Sequence, residues 1–338
     1  MNKNDYTNAL NQIRREGGFD IHSNLACLLV IIELTLLSLS IYLLSVVEIF
    51  SWQFWLLEIY IGIAMFRCFV LVHECGHGTL FKTRTSNTLV GTLFGAIALV
   101  PYVCWRDVHR QHHKWVGVID KDPTSVAALD AQSYSPLMRS IVRLMWVLRI
   151  PLAAAIGIFS AFWLYPKRLI SKKKFDKSAF IAASISMAVT LLPWIGLWQL
   201  LGSTMFFTYV LPALLVFYFW FEMINLCHHA GLYPFISHRH PKSVPTYQQE
   251  AFCRTATLPR WLAVISCYHF NLHTEHHLFP TVPWNFLPRI SEILDEYRLS
   301  DYNKQPMPSL VSEIRKLDPF DDIIDKAPSR PVQTVGIK

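Results

Sequence analysis

Eight of the chain's 14 histidines fall in three short clusters, His73-Glu-Cys-Gly-His77, His109-Arg-Gln-His112-His113 and His273-Thr-Glu-His276-His277. Imidazole is the commonest side-chain metal ligand. In a helix, residues three and four apart share one face, so each cluster can aim two or three imidazoles at one point. Together they supply more nitrogen than one four-coordinate zinc needs. The supply suits two metal ions, and iron is the metal expected. A carboxylate-rich di-iron site would need two Glu-x-x-His motifs. Only Glu74-x-x-His77 fits that pattern, so a histidine-rich site is the more economical reading.

Each cluster has a competing explanation. His73-Glu74-x-x-His77 is also a literal H-E-x-x-H, which supplies two zinc ligands and a general base in metalloproteases, including those that cleave within membranes. A zinc protease needs one more ligand, whereas this chain offers two further H-x-x-H-H blocks. It also lacks a Leu-Asp-Gly segment in a late apolar stretch. His109, His112 and His113 lie among Arg106, Arg110 and Lys114, as a solvated basic helix face would. Recurrence of the same spacing at His273, His276 and His277 argues for ligands instead.

The elements that carry these clusters are membrane-like. Of 338 residues, 52% are hydrophobic and 16% charged, against about 25% charged in a typical soluble protein. Four stretches reach the roughly 20 apolar residues a span requires: 24–47, 52–72, 178–200 and 205–227. The short links between the members of each pair, Glu48–Ser51 and Leu201–Thr204, contain no Lys or Arg. Arg14, Arg15, Lys82, Arg84, Lys167, Arg168 and Lys172–Lys174 all fall on the other side. The positive-inside rule then places both termini and the middle region in the cytoplasm. Leu89–Val100 is too short to span. Ile141–Tyr165 is long enough, but it contains Arg143, Arg149 and Pro151. Spanning there would also strand the third cluster on the far face, so it is read as an interfacial or buried helix. The expected fold is all-α: four transmembrane helices in two hairpins with a cytoplasmic helical cap holding the histidines. The domains expected are a cytoplasmic N-terminal segment (1–23), a catalytic membrane domain (24–318) and a polar, poorly ordered tail (319–338).

Other features narrow the function. The net charge of +7 comes from basic residues flanking apolar segments, which points to anionic lipid headgroups rather than nucleic acid. Met1–Asp20 lacks the pattern of a signal peptide. The seven scattered cysteines form no C-x-x-C pair, so neither a disulfide framework nor a cysteine metal site is expected.

The pattern H-x-x-x-H, H-x-x-H-H, H-x-x-H-H around paired apolar segments resembles the membrane fatty acid desaturase superfamily, from about Ile31 to Ile293. Local matches add to it: Phe81, Trp105-Arg-Asp107, Asp122-Pro123 and Leu278-Phe279-Pro280. The resemblance implies two irons, O2 as co-substrate, a fatty acyl chain or acyl lipid as substrate, and an external ferredoxin or cytochrome b5-type electron donor. The donor's acidic surface would dock on the basic cytoplasmic face. It implies the eight cluster histidines as metal ligands. Asn225-Leu-Cys-His228-His229 matches the family's additional ligand, with His229 as the ninth and Asn225 holding a metal-bound water; a one-residue shift would exchange His228 for His229. The superfamily also includes hydroxylases, carotenoid ketolases, acetylenases and terminal-alkene-forming decarboxylases.

Groups that orient the ligands are sought among Glu74, Asp107, Asp120, Asp122 and Glu275, with His269 four residues before His273. Glu222, Asn225 and His229 share a helix face, which aims Glu222 at the site or the substrate path. Arg67 is expected to snorkel. The aromatics Trp52, Phe54, Trp55, Tyr60, Phe66 and Phe217–Phe221 are candidates to line an acyl channel. Nothing is assigned to Glu33 and Glu58, although intramembrane acids are functional candidates.

Overall fold

The computed structural model describes residues 1–171, 175–297, 299 and 301–329. Lys172–Lys174 and Pro331 therefore lie outside the described residues. The chain opens with α1 (Lys3–Arg15), capped by the Asn2 side chain. Two long apolar helices follow, α2 (Ser23–Val46) and α3 (Trp52–His77). Ser51 caps α3 by accepting from the Phe54 N–H at 3.2 Å. Gly78 ends it with φ 73° and ψ 22°, a left-handed conformation that glycine adopts without a Cβ penalty. The first histidine cluster is thus the last turn of a long apolar helix.

Helix α4 (Arg84–Ile97) and helix α5 (Tyr102–Trp115) meet at 103°. Leu99, at φ 54°, makes the bend, and α5 carries the second cluster. The expectation of one helix over Ile141–Tyr165 needs correcting. After α6 (Val126–Ala131) the chain forms α7 (Pro136–Val147), α8 (Leu152–Ile158), a π-helical turn Phe159–Trp163 and α9 (Tyr165–Ile170). Arg149, at φ 59°, and Pro151 break the run, because proline removes a helix donor and restrains the residue before it. None of these pieces is long enough to cross a membrane.

Helix α10 (Lys177–His229) runs for 53 residues but is broken at Gly202, whose φ 72° and ψ 166° are non-helical. Among the described residues, α2, α3 and α10 are long and apolar enough to cross a membrane. Beyond α10 lies the segment with the third cluster. It comprises β1 (Arg254–Thr257), α11 (Arg260–Cys267), α12 (His273–Leu278), α13 (Leu287–Tyr297), β2 (Asn303–Pro306) and α14 (Met307–Lys316). Strands β1 and β2 pair in parallel, Arg254 opposite Asn303, so the predominantly helical fold is not all-α. Helix α3 is the hub, buried along its second half and packed by α2, α4 and α10. Gly62 permits the approach of α10: a Cβ there would fall 2.6 Å from the Ala213 carbonyl oxygen.

Three polar expectations change. Arg67 does not snorkel: it is buried and donates to Glu33 at 2.8 Å. Glu222 does not face the histidines. It pairs with buried Arg315 of α14 and accepts from the Ala154 N–H at 3.2 Å. The segment from Pro319 is docked rather than loose through residue 329. Phe320 is fully buried, and the Arg139 and Arg143 guanidinium groups lie 4.6 and 5.4 Å from its ring centre. Arg143 pairs with Asp318 at 2.7 Å and Arg139 with Asp325 at 2.6 Å.

Phe320→Ala should therefore cost about 3 kcal/mol, the usual scale for emptying a buried aromatic site. It should also expose 319–329 to protease. Thermal melting and limited proteolysis in detergent read both effects.

Candidate metal centre

Four elements bring nine imidazoles together. His73 and His77 end α3, His109, His112 and His113 sit on α5, His229 closes α10, and His273, His276 and His277 sit on α12. They divide into two groups, His73, His77, His109, His113 and His276, and His112, His229, His273 and His277. Within each group one nitrogen per ring lies within 4.8 Å of every other. Each group draws on more than one cluster, so neither exists until the chain has folded. His113 and His112 are adjacent in sequence yet serve different groups, because successive helical positions point about 100° apart.

Nearest-neighbour contacts run Nε2 to Nε2. In the first group they are His73–His276 at 3.0 Å, His77–His109 at 2.9 Å, His109–His113 at 3.0 Å and His113–His276 at 2.9 Å. In the second they are His112–His229 at 3.1 Å, His112–His277 at 3.2 Å and His229–His273 at 2.8 Å.

The second group tests whether a cation fits. His112 Nδ1 lies 2.8 Å from Asp122 Oδ2, His229 Nδ1 2.8 Å from the Phe252 carbonyl oxygen, and His277 Nδ1 3.0 Å from Gln249 Oε1. The Gln249 amide is oriented independently, since its Nε2 donates to the His113 carbonyl at 2.8 Å. All three rings therefore carry a proton on Nδ1, and the Nε2 atoms of His229 and His277 are lone pairs aimed at His112 Nε2. Burial first, then the neighbouring imidazoles, hold His273, His276 and His277 well below the ordinary imidazole range. Converging lone pairs on neutral rings repel, and a metal cation is what satisfies them. With a metal–nitrogen bond of about 2.1 Å, neighbouring donors lie about 3.0 Å apart at a right angle and about 3.4 Å apart at the tetrahedral angle. The observed 2.8–3.2 Å spacings match the right angle, as does a group of five donors.

Other expected groups take varied places. His228 is not in either group. It stacks on His273 at 3.7 Å with an interplanar angle of 5°, which leaves His229 to face the centre. Glu74 backs His73, with Oε1 3.2 Å from His73 Nδ1, while Oε2 accepts from Thr79 at 2.6 Å and from the Trp284 N–H at 3.1 Å. Glu74 thus sits behind the ring and not beside the metal-facing nitrogen, where a hydrolase base would have to be. Asn225 lines the cavity that reaches His229.

Asp107, Glu222, Glu275 and His269 engage other partners. Asp107 meets Arg106, Arg110 and Tyr165. Glu275 accepts from Thr255 at 2.5 Å and Tyr302 at 2.6 Å. His269 stacks near Trp284, and Asp120 accepts from Ser237. Asp122 is the carboxylate behind His112. Burial pushes its pKa up, but His112 and Thr124 outweigh that and hold it below the usual carboxylate range. Gln249 and the Phe252 carbonyl were not visible in sequence, since no local spacing connects a 3₁₀ turn to histidines more than twenty residues away.

Two cavities reach the centre. One, of ≈ 270 Å³, is walled by Phe66, Phe69, Trp105, Phe162, Phe221 and Phe270 and reaches His112, His229 and His273. Of the aromatics anticipated from sequence, only Phe66 and Phe221 line it; Trp52 and Trp55 are exposed on the apolar surface. The other, of ≈ 700 Å³, is lined by Lys82, Arg84, Arg106 and Arg110 and reaches His77, His109 and His113.

Because removing an orienting partner typically costs 10–100-fold in metal affinity, Asp122→Ala should weaken metal retention by about tenfold or more. His229→Ala should lose metal from the second group, whereas His228→Ala should keep its stoichiometry. Elemental analysis of the purified variants checks all three.

Comparison with known proteins agrees with this geometry. The fatty acid desaturase family matches residues 50–307. The chain is 28% identical over 271 residues to the sn-1 acyl-lipid omega-3 desaturase (ferredoxin) of Nostoc sp., covering 72% of this chain and 68% of that protein. It is 29% identical over 274 residues to the protein of the same name from Synechocystis sp., covering 73% and 69%. It is 26% identical over 274 residues to the chloroplastic omega-6 fatty acid desaturase of Spinacia oleracea, covering 77% of this chain and 58% of the relative. With the matched region enclosing all nine converging histidines, the chain belongs to the fatty acid desaturase family, a family of oxidoreductases.

Proposed function

We propose that this protein is a membrane di-iron, O2-dependent desaturase that introduces a double bond into the acyl chain of a lipid. The observation that carries the reading is the pair of converging imidazole groups, five and four strong, at the end of an aromatic-walled cavity. The first group would hold one iron and the second the other, with Asn225 placed to hold a water beside His229. When bound, the irons supply the chemistry that reduces O2 to an oxidant able to take hydrogen from an unactivated methylene. The net reaction removes one hydrogen from each of two adjacent carbons. With two electrons and two protons from outside, O2 leaves as two waters.

The chain's own residues do the rest. Phe66, Phe69, Phe221 and Phe270 form an apolar wall that holds the acyl chain against the centre, where angstrom-scale placement decides the outcome. The same wall excludes water from the reacting carbon. Asp122, Gln249 and the Phe252 carbonyl hold protons on Nδ1 of three imidazoles, which keeps their Nε2 lone pairs free for metal. Electrons come from an external donor of the ferredoxin or cytochrome b5 type. The basic cavity at His77, His109 and His113 suits a carrier with an acidic surface.

In this reading, residues 24–318 form one catalytic membrane domain. Its two hairpins are α2 with α3 and the two halves of α10, giving four spans whose charge asymmetry puts both termini and the centre in the cytoplasm. Hydroxylation, ketolation, acetylene formation and terminal-alkene formation begin at the same kind of centre. The hydrolase alternative is disfavoured by Glu74, which is turned behind His73.

Expression in a heterologous host with mass spectrometry of total lipids and volatiles tests the proposal. A new acyl double bond is expected, with two irons per purified chain. His276→Ala should reduce the product to the host background. One zinc per chain, with activity surviving loss of His273, His276 and His277, would overturn the reading. A hydroxylated chain, a ketocarotenoid or a shortened terminal alkene would replace desaturation with that outcome.

A further inference from the structure

A buried ion pair ties the first two long helices to the turn that precedes the third histidine cluster. Arg67 of α3 is 5% exposed and Glu33 of α2 3%. Arg67 Nε and Nη2 donate to the two Glu33 oxygens at 2.8 and 3.0 Å. Nη1 donates to the Ile265 carbonyl at 2.8 Å, in the last turn of α11, where carbonyls lack a partner within the helix. The Tyr268 hydroxyl donates to Glu33 Oε1. The guanidinium therefore grips the chain just before the turn, and the carboxylate grips the turn itself.

The turn needs holding. Tyr268 and His269 are consecutive non-glycine residues at φ 45° and 58°, the left-handed region that L-residues occupy only where their surroundings over-determine it. The chain then runs through Phe270, whose ring lies 4.9 Å from His73 and 5.5 Å from His273, into α12. The Tyr268 ring also packs 5.0 Å from Trp284, whose N–H donates to the Glu74 carboxylate behind His73. One network thus reaches both imidazole groups.

Packing alone does not call for these charges. A charge in an apolar helical layer is costly, and apolar residues of similar volume commonly replace a buried pair without loss of stability. Helix α2 packs chiefly on α3 and turns apolar side chains such as Leu28, Ile31, Leu36 and Leu39 outward. Glu33 lies outside residues 50–307, the part that matches the family.

We propose that Arg67 and Glu33, acting through Tyr268, are positioning residues for the metal centre. They set the left-handed turn that aims His273, His276 and His277. The catalytic consequence rests on the desaturase reading, whereas the structural claim stands apart from it.

The test uses the full chain in lipid nanodiscs, comparing wild type with the double variant Glu33→Leu, Arg67→Met and with Tyr268→Phe. Hydrogen exchange over residues 262–278 and the visible spectrum and stoichiometry of bound Co2+ are measured first, and lipid products of the iron-loaded protein, supplied with O2 and reduced ferredoxin, afterwards. The double variant should melt like wild type. Its exchange across 265–273 should be faster, its Co2+ spectrum altered and its Co2+ affinity about tenfold weaker or more, in keeping with the 10–100-fold cost of displaced ligand supports. Tyr268→Phe, which removes one hydroxyl and leaves both charges, should shift both readouts in the same direction, and it decides the matter if the double variant does not fold. Wild-type exchange and an unchanged Co2+ spectrum in the folded variants would overturn the proposal. A wild-type protein that shows the expected exchange and Co2+ signature yet oxidises no acyl chain would sink the desaturase reading and leave the positioning role intact.

Discussion

The candidate site depends on one unfavourable arrangement, the convergence of imidazole nitrogens at 2.8–3.2 Å. Lone pairs do not gather unless something holds them, and here two things do. Acceptors behind the rings, Asp122, Gln249 and the Phe252 carbonyl, fix the proton on the far nitrogen. A tightly packed surround prevents the rings from turning away: Trp105 stacks on His109 at 4.5 Å, and His228 stacks on His273. Gly76 is part of the same surround, since a Cβ there would fall 2.3 Å from the Trp105 ring. The imidazoles are thus held in place by the fold itself.

Charge in the apolar layer follows a second rule. Glu33 and Glu222 face no imidazole; each meets an arginine, and each pair joins elements far apart in sequence. The first joins α2 and α3 to the turn before α12. The second joins α10 to α14 and, through Ala154, to α8. Directional bonds of this kind set register between helices that apolar contact would let slide. Glu58 is different: it is buried within α3 and meets no arginine or lysine among the described residues.

Much of the site was legible because its logic is local. Helical periodicity makes an H-x-x-H-H block a set of co-directed ligands whatever surrounds it. The short links at Glu48–Ser51 and Leu201–Thr204 were likewise read from where the apolar stretches pause, and the structure starts α3 at Trp52 and breaks α10 at Gly202. The orienting groups were harder to read. Glu74 and Asp122 were candidates because they lie close in sequence to histidines, but proximity equally suggested Asp107 and Glu275, which bond elsewhere. Glu222 misled for a related reason. Its helical phase relative to His229 was right, but that phase cannot say that Arg315, 93 residues away, is waiting for it.

The sequence by itself determined the three histidine clusters, the long apolar helices that carry the first of them and the breaks near Glu48–Ser51 and Gly202, but not those within Ile141–Tyr165. These follow from short-range geometry and from the free energy of burying apolar side chains. Only the tertiary structure decided how nine histidines divide into five and four and that His229 rather than His228 completes the second group. It also showed which wall is aromatic and which basic, and that Arg67 is held by Glu33 instead of reaching for water. Those outcomes depend on contacts between residues tens to hundreds of positions apart. Such pairings leave no periodic trace in one chain, because a residue's direction is set by its own helix while its partner is set by how the helices pack.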